Sequence, residues 1–331
     1  AVAGKWQLLT AEGGTHPNEA GFDTYSLWNT PLTSRERYWN PSLEKDGALM
    51  GLPDNSYGPD ACTDFLADFI TSCAESDTPF LAYYPMILVH DPFLPTPNSK
   101  DRGETSDKKN FIDMVNYMDA LVGRLVDTLE ATGVRDNTLI IFTADNGTNK
   151  NLVSEFNGQR ISGGKGYTRD HGTHVPLIAN WPGRIPAKQV NRDLIAFSDF
   201  LPTMVEAAGL PPKESTDADG VSFWPQCLSE RGNPREWIYG YYFPHPSAKK
   251  FNDSNNHPEV RYARDRRYKL YDNGDLYDTQ MDVMETAVID LEVAAPTVKQ
   301  AHRNLQAAIN AYPSKGTRIN YPKVRGVYPP K

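Results

Sequence analysis

Four short segments hold residue types that together could handle a charged oxyanion. The apolar run "TLIIFTADNGTNK" ends abruptly in Asp145, Asn146 and Gly147. A carboxylate and an amide oxygen are hard ligands suited to Ca²⁺ or Mg²⁺, although Asn-Gly is also among the commonest turn dipeptides. "PMILVHDPF" closes a second apolar run with His90, and the following Asp-Pro step stiffens the exit. "ISGGKGYTRDHGTHVP" places Lys165 in a glycine-rich loop, and "AGKWQL" sets Lys5 beside an aromatic ring. Each segment alone has an ordinary explanation: a lone histidine packs, a lone lysine is solvated. Together they supply one hard-metal site, two cations and one proton donor, which suits a tetrahedral oxyanion such as sulfate or phosphate.

The elements that must position these residues are those of an α/β protein. "GPDACTDFLADFITSCAES" opens on a Pro-Asp start signal and sets Phe65, Leu66, Phe69, Ile70 and Cys73 at helical spacing. "PFLAYYPMILVH" reads as a buried strand, and a Pro-rich charged loop follows from Asp91 to about Lys109. "FIDMVNYMDALVGRLVDTLEATG" is a long amphipathic helix that Gly133 stops. "TLIIFTA" and "VPLIANWP" read as strands, and "DFLPTMVEAAG" as a helix. Strand–helix–strand order predicts a parallel sheet covered by helices, with Asp145 and Asn146 beyond the carboxyl end of an inner strand, where such sheets bind ligands. Residues 1–58 show no sustained period and read mostly as loop. Beyond about Pro225, "WIYGYYF", "VRYARD" and "YKLYD" predict short aromatic strands with turns such as "DNGD". A last helix follows over about 295–311, then an extended tail, "GTRINYPKVRGVYPPK". The division expected is a core over 1–225 and a small antiparallel-sheet subdomain over 226–331.

Bulk properties exclude several classes. With 39% hydrophobic and 23% charged residues the 331-residue chain is globular rather than disordered. A net charge of −8 argues against a nucleic-acid partner. No apolar run is long enough for a membrane-spanning helix, and the opening "AVAGKWQLLTAEGG" lacks the charged region and apolar core of a signal peptide. Cys62, Cys73 and Cys227 show no metal-ligand spacing. Cys62 and Cys73 stand three turns apart on one helix, about 16 Å, too far to bridge; buried free thiols are expected.

"GKWQL", "GFDTYSLWN", "PFLAYYPMILVHDPFLPTP", "NYMDALVGRLVDTLE", "LIIFTADNGTN" and "GGKGYTRDHGTHVPLIANWPG" resemble, in order from about residue 3 to 210, consecutive blocks of the type I sulfatases of the alkaline-phosphatase superfamily, the arylsulfatase-A-like group in particular. The resemblance implies a parallel-rich sheet between helices, incomplete here, and cleavage of sulfate esters of small molecules or glycans. It implies that Asp145 and Asn146 are half of a calcium site, with Mg²⁺ as the alternative ion. Lys5 would contact the sulfate and the catalytic aldehyde-derived residue. His90 would contact the sulfate and assist departure of the alcohol, and Lys165 would bind sulfate. Bacterial relatives of this kind act in the periplasm or outside the cell.

The chain departs from the family pattern in three places. The family's nucleophile is a formylglycine made from a Cys/Ser-x-Pro-x-Arg motif. Here Cys62 is followed by Thr-Asp-Phe, Cys73 by Ala-Glu-Ser and Cys227 by Leu-Ser-Glu, and no serine heads the motif. No formylglycine nucleophile is therefore available. The family's Asp-Asp pair is missing too; both features precede the Gly-Lys-Trp block, which here begins at residue 4. An N-terminally truncated sulfatase is expected, with Ca²⁺ weakly held, exposed sheet edges, and either oligomerisation or a complementing N-terminal segment. Gln7 stands where many relatives have a histidine, and an amide cannot titrate. His174 is expected to pack or hydrogen-bond, while His171 beside Asp170 is open to metal or structural use. Three readings follow: an impaired sulfatase, a noncatalytic oxyanion-binding remnant, or a metal-dependent phosphodiesterase or esterase that would need Asp170 and His171 as ligands.

Overall fold

The computed structural model describes residues 1–10, 13–156, 158–210, 219–242 and 260–312. Its contacts divide the chain into two units, Ala1–Thr138 and the described chain from Leu139 on. The extended tail expected after residue 315 lies outside the described residues.

In the first unit, β1 (Val2–Lys5) pairs in parallel with β4 (Tyr25–Trp28), and β5 (Glu44–Lys45) and β6 (Ala48–Leu49) extend that sheet antiparallel. A small antiparallel pair joins β2 (Leu9–Thr10) to β3 (Gly13–Gly14). The region read as loop therefore contains the first unit's sheet. Its strands have four residues or fewer, too short to show a period, and they are specified by burial: Val2, Ala3, Tyr25 and Leu27 are fully enclosed. Conversely, the strand expected over residues 80–90 shrinks to a ladder at 83–85. Tyr83 N–H donates to the Ala1 carbonyl at 3.0 Å, Ala3 N–H to Tyr83 at 3.0 Å and Lys5 N–H to Pro85 at 2.8 Å. Pro85 has no N–H with which to continue the ladder.

Helix α1 (Gly58–Glu75) begins with Pro59 in its first turn and buries Cys62, Phe65, Leu66 and Ile70. Helix α2 (Asp107–Ala131) starts four residues before the apolar pattern and buries Met114, Tyr117 and Leu121. Tyr117 Oη donates to Asp60 at 2.7 Å and Arg124 meets Asp60 at 3.2 Å, which sets the register of the two helices. Gly133, at φ +75°, ends the helical turn.

In the second unit, β7 (Ile140–Thr143) pairs with β10 (Leu177–Asn180) antiparallel, not parallel as expected, with Thr143 opposite Leu177. A hairpin of β8 (Val153–Phe156) and β9 (Gln159–Ser162) and the single turn α3 (Asp170–Thr173) lie between them. Helices α4 (Phe200–Ala207) and α5 (Trp224–Cys227) pack near Trp181. The aromatic strands appear as expected in a four-stranded antiparallel sheet of β11 (Ile238–Tyr242), β12 (Val260–Arg264), β13 (Tyr268–Tyr271) and β14 (Leu276–Asp278). Helix α6 (Pro296–Asn310) covers it, seating Leu305, Ala308 and Ile309 on Ala263, Leu270 and Leu276.

Asp199 joins several of these segments. Its carboxylate accepts the Ala196 N–H at 2.8 Å, the Val221 N–H at 2.7 Å and Arg235 Nε at 2.8 and 2.9 Å, and it is 1% exposed. Asp199→Ala leaves the largely buried Arg235 uncompensated and is expected to destabilise the protein by about 3–5 kcal/mol in denaturant unfolding; a loss below about 1 kcal/mol would contradict this account. The cysteines are free, and only Cys62 is fully buried; Cys73 and Cys227 are partly exposed. Burial pushes the Cys62 thiol up to about 12 and the Cys227 thiol up to about 11. The thiolate is the reactive form, so at pH 8 a disulfide reagent should leave Cys62 unlabelled until denaturant is added, as peptide mapping would show.

Candidate functional site

The first unit carries Lys5 and His90. Lys5 closes β1 opposite Trp28. The 83–85 segment runs parallel to β1, so Lys5 and the chain leading to His90 leave the sheet at the same edge. Tyr38 Oη anchors that exit by donating to the Ile87 carbonyl at 3.1 Å and the His90 carbonyl at 2.5 Å. The His90 ring keeps about a third of its surface exposed. Its Nδ1 lies 3.2 Å from Arg37 Nη2, a donor, and 2.7 Å from the Asp91 carbonyl, an acceptor. Asp91 Oδ1, at 3.3 Å, is a second acceptor beside Nδ1, so Arg37 and the Asp91 oxygens select opposite tautomers. With Arg37 donating, the proton sits on Nε2; with the carbonyl accepting, Nε2 has the lone pair. Arg37 is a cation that the motif reading missed. It is held over the Trp28 ring at 4.7 Å, and "SRERYWNP" gives no spacing that links it to His90.

Asp145, Asn146 and Lys165 belong to the second unit. Asp145 and Asn146 follow β7 after one residue, Ala144. In an antiparallel pair the exit of β7 and the entry of β10 lie at one edge, and Thr143 Oγ1 bonds the Pro176 carbonyl there at 2.9 Å. The loop before β10 therefore returns to the Asp145 turn; a parallel β10 would have been entered from the opposite edge. Lys165 N–H donates to the Thr148 carbonyl at 2.9 Å and Gly147 N–H to the Gly172 carbonyl at 2.9 Å. Gly147 serves this approach rather than a left-handed turn: a Cβ there would stand 2.1 Å from the His171 carbonyl oxygen.

Asp170 and His174 are paired with each other, while His171 makes one long hydrogen-bond contact. The Asp170 carboxylate pairs with Arg264 and accepts from His174 Nδ1 at 3.2 Å. Burial by itself would raise this carboxyl, but the His174 hydrogen bond and the Arg264 charge hold it below the usual carboxylate range. His174 thus hydrogen-bonds as expected. His171 Nδ1 lies 3.4 Å from the Val283 carbonyl, burial lowers its basicity, and its Nε2 is buried without a hydrogen-bond partner among the described residues. Asp170, which the metal-dependent phosphodiesterase alternative would use as a ligand, has its oxygens engaged by Arg264 and His174.

Comparison with known proteins adds independent information. A family model described as Sulfatase matches residues 1–210, and one described as N-sulphoglucosamine sulphohydrolase, C-terminal, matches residues 164–311. The chain is 29% identical over 265 residues to the uncharacterized sulfatase YdeN of Escherichia coli (strain K12), covering 75% of this chain and 45% of that protein. It is 32% identical over 256 residues to N-acetylgalactosamine-6-sulfatase of Canis lupus familiaris, covering 72% and 48%. The chain thus spans about half the length of these curated relatives. Among solved structures it is similar to Ps i-CgsB, with a TM-score of 0.71 at 22% identity over 94% of this chain and 70% of that one; the same protein is also known in complex with k-i-k-neocarrahexaose.

The donor set at the Asp145 turn does not fill the shell of a calcium ion. Asn146 Nδ2 donates to Asp145 Oδ1 at 2.8 Å, and the two side chains offer about three oxygens where Ca²⁺ takes six to eight. Among the described residues no three His, Cys, Asp or Glu side chains gather into a metal cage. Calorimetric titration of the chain with Ca²⁺ is expected to give a dissociation constant of about 0.1 mM or weaker. Micromolar binding would show that further oxygens complete the site.

Proposed function

The chain belongs to the sulfatase family, and from that premise we propose that these 331 residues form the sulfate-binding part of a sulfuric ester hydrolase. In this reading Lys5 and His90, in the first unit, and Lys165, in the second, are each sulfate-contacting residues. Asp145 and Asn146 contribute part of a calcium site. The observation that supports this most directly is the seam in the second unit. Two backbone hydrogen bonds hold the loop of Lys165 against the turn of Asp145 and Asn146, so an anion-binding ammonium and hard oxygen donors share one small region.

The chemistry follows from the residue types. A sulfate monoester carries one negative charge, and more charge gathers on the bridging oxygen as the S–O bond breaks. Lys5 and Lys165 each carry an ammonium of the kind that offsets this charge. His90, with its proton on Nε2, can donate to the departing alkoxide; Arg37 favours that tautomer, and the Asp91 carbonyl favours the reverse one, which can take a proton back. A sugar sulfate is the favoured substrate class. The name of the canine relative and the neocarrahexaose complex of Ps i-CgsB support this.

The nucleophile motif is absent from the 331 residues, so binding is expected without efficient turnover. Positioning and charge stabilisation outlast the loss of covalent chemistry only as a small residual rate. Purified chain of verified mass should hydrolyse nitrophenyl sulfate negligibly. It should still bind inorganic sulfate, and His90→Ala or Lys165→Ala should weaken that binding about tenfold or more, the scale of a hydrogen bond to a charged group. Robust turnover, or sulfate affinity indifferent to both substitutions, would overturn the proposal.

A further inference from the structure

Lys269 on β13 is fully buried, and the side chain of its partner Glu285 is 1% exposed. Lys269 Nζ donates to the Thr168 carbonyl and to Glu285 Oε1, the latter at 3.0 Å. It also lies over the Tyr262 and Tyr271 rings, at 4.3 and 4.9 Å. Glu285 Oε1 accepts the Asp170 N–H at 2.8 Å, and Oε2 accepts the Tyr271 hydroxyl at 2.5 Å. Tyr271 Oη lies 3.2 Å from Thr168 Oγ1. Arg264, on the adjacent strand β12, takes the Asp170 carboxylate.

These contacts converge on one short piece of backbone. Thr168 and Asp170 lie three and five residues beyond Lys165. Their carbonyl and N–H are bonded by a buried cation and a buried anion, which also meet Tyr262 and Tyr271. Removing two charges from water is costly, and a well-packed apolar pair of similar volume is often as stable. Stability alone therefore does not account for the pair. An apolar pair could not hold a carbonyl and an N–H in fixed orientations, whereas an ammonium and a carboxylate do. Burial pulls Lys269 down to about 8 even against the neighbouring Glu285. Glu285 itself stands at φ +52°, a backbone conformation costly for a side chain of its kind, and the surrounding hydrogen bonds hold it there.

We infer that Lys269 and Glu285 are positioning residues for Lys165: the buried pair fixes the loop after the sulfate-binding lysine in the geometry that presents its ammonium to the anion. The inference rests on the reading of Lys165 as a sulfate ligand, and two readouts separate the two. The first is backbone amide exchange of Lys165, Tyr167 and Asp170 in the full chain. In Glu285→Gln and in the double variant Lys269→Met with Glu285→Leu these amides should exchange about tenfold faster, with α2 and β13 unchanged. The second is calorimetric binding of inorganic sulfate. Both variants should lose about tenfold in affinity, the double variant at near-unchanged melting temperature and Glu285→Gln, which strands the buried Lys269 cation, at a lower one, and Lys269→Arg, which keeps the cation and its anion, should retain most of it. A folded double variant with native loop exchange, or with native sulfate affinity while Lys165→Ala loses it, overturns the clamp. Sulfate affinity indifferent to Lys165→Ala instead overturns the sulfate-binding reading, and the exchange experiment still decides whether the clamp holds the loop.

Discussion

Close approach of backbone to backbone is the constraint on which the second unit's candidate site depends. Three stretches of chain meet around Gly147, Gly163, Gly164 and Gly172. A Cβ on Gly163 would stand 2.1 Å from the Asn149 carbonyl oxygen, one on Gly164 2.6 Å from the Gly172 nitrogen, and one on Gly172 2.4 Å from the Gly164 carbonyl oxygen. Real side chains do not fit at such distances. The glycines let peptide groups bond directly, and those bonds carry the Asp145 turn and the Lys165 loop as one piece. A small-residue seam costs conformational entropy in the unfolded chain, and neighbouring interactions have to offset that cost.

Buried ion pairs stand next to the seam. Arg264 takes the Asp170 carboxylate, and Lys269 with Glu285 bonds the backbone of Thr168 and Asp170; elsewhere in the unit Arg235 pairs with Asp199. Apolar packing supplies the bulk of the driving force, as where α6 seats three residues on the antiparallel sheet. It is non-directional, however, and a loop that must offer an ammonium in one direction needs directional contacts. The second unit therefore combines an apolar sheet–helix layer with a polar knot between that sheet and the loop. In the first unit the same division appears on a smaller scale. Val2, Tyr25 and Leu27 make the core, while Tyr38 and Arg37 orient the His90 segment.

Long periodic segments were legible in the sequence. Helices α1, α2 and α6 and the aromatic strands β11, β12 and β13 stand within a few residues of their expected positions, because amphipathic periodicity over ten or more residues, or alternation between strong turn signals, has few alternative solutions. The short strands β1 and β4 were hidden, since four residues between glycines and prolines carry no period. The 80–90 run misled in the other direction: its apolar character is real, but proline interrupts the ladder.

The sequence by itself determined which residue types were present for oxyanion chemistry, Lys5, His90, Asp145, Asn146 and Lys165, and the family to which they belong, because ordered blocks of sequence preserve that information without reference to geometry. It also determined that no Cys/Ser-x-Pro-x-Arg motif lies within these residues. Only the tertiary structure decided that β10 runs antiparallel to β7 and so returns the Lys165 loop to the Asp145 turn. Only it decided that Asp170 is spent on Arg264, that Arg37 reaches His90, and that Lys269 and Glu285, about a hundred residues away in sequence, grip that loop. The physical reason is that strand direction and long-range ion pairs depend on which surfaces meet on folding, and a residue's type does not specify its partner.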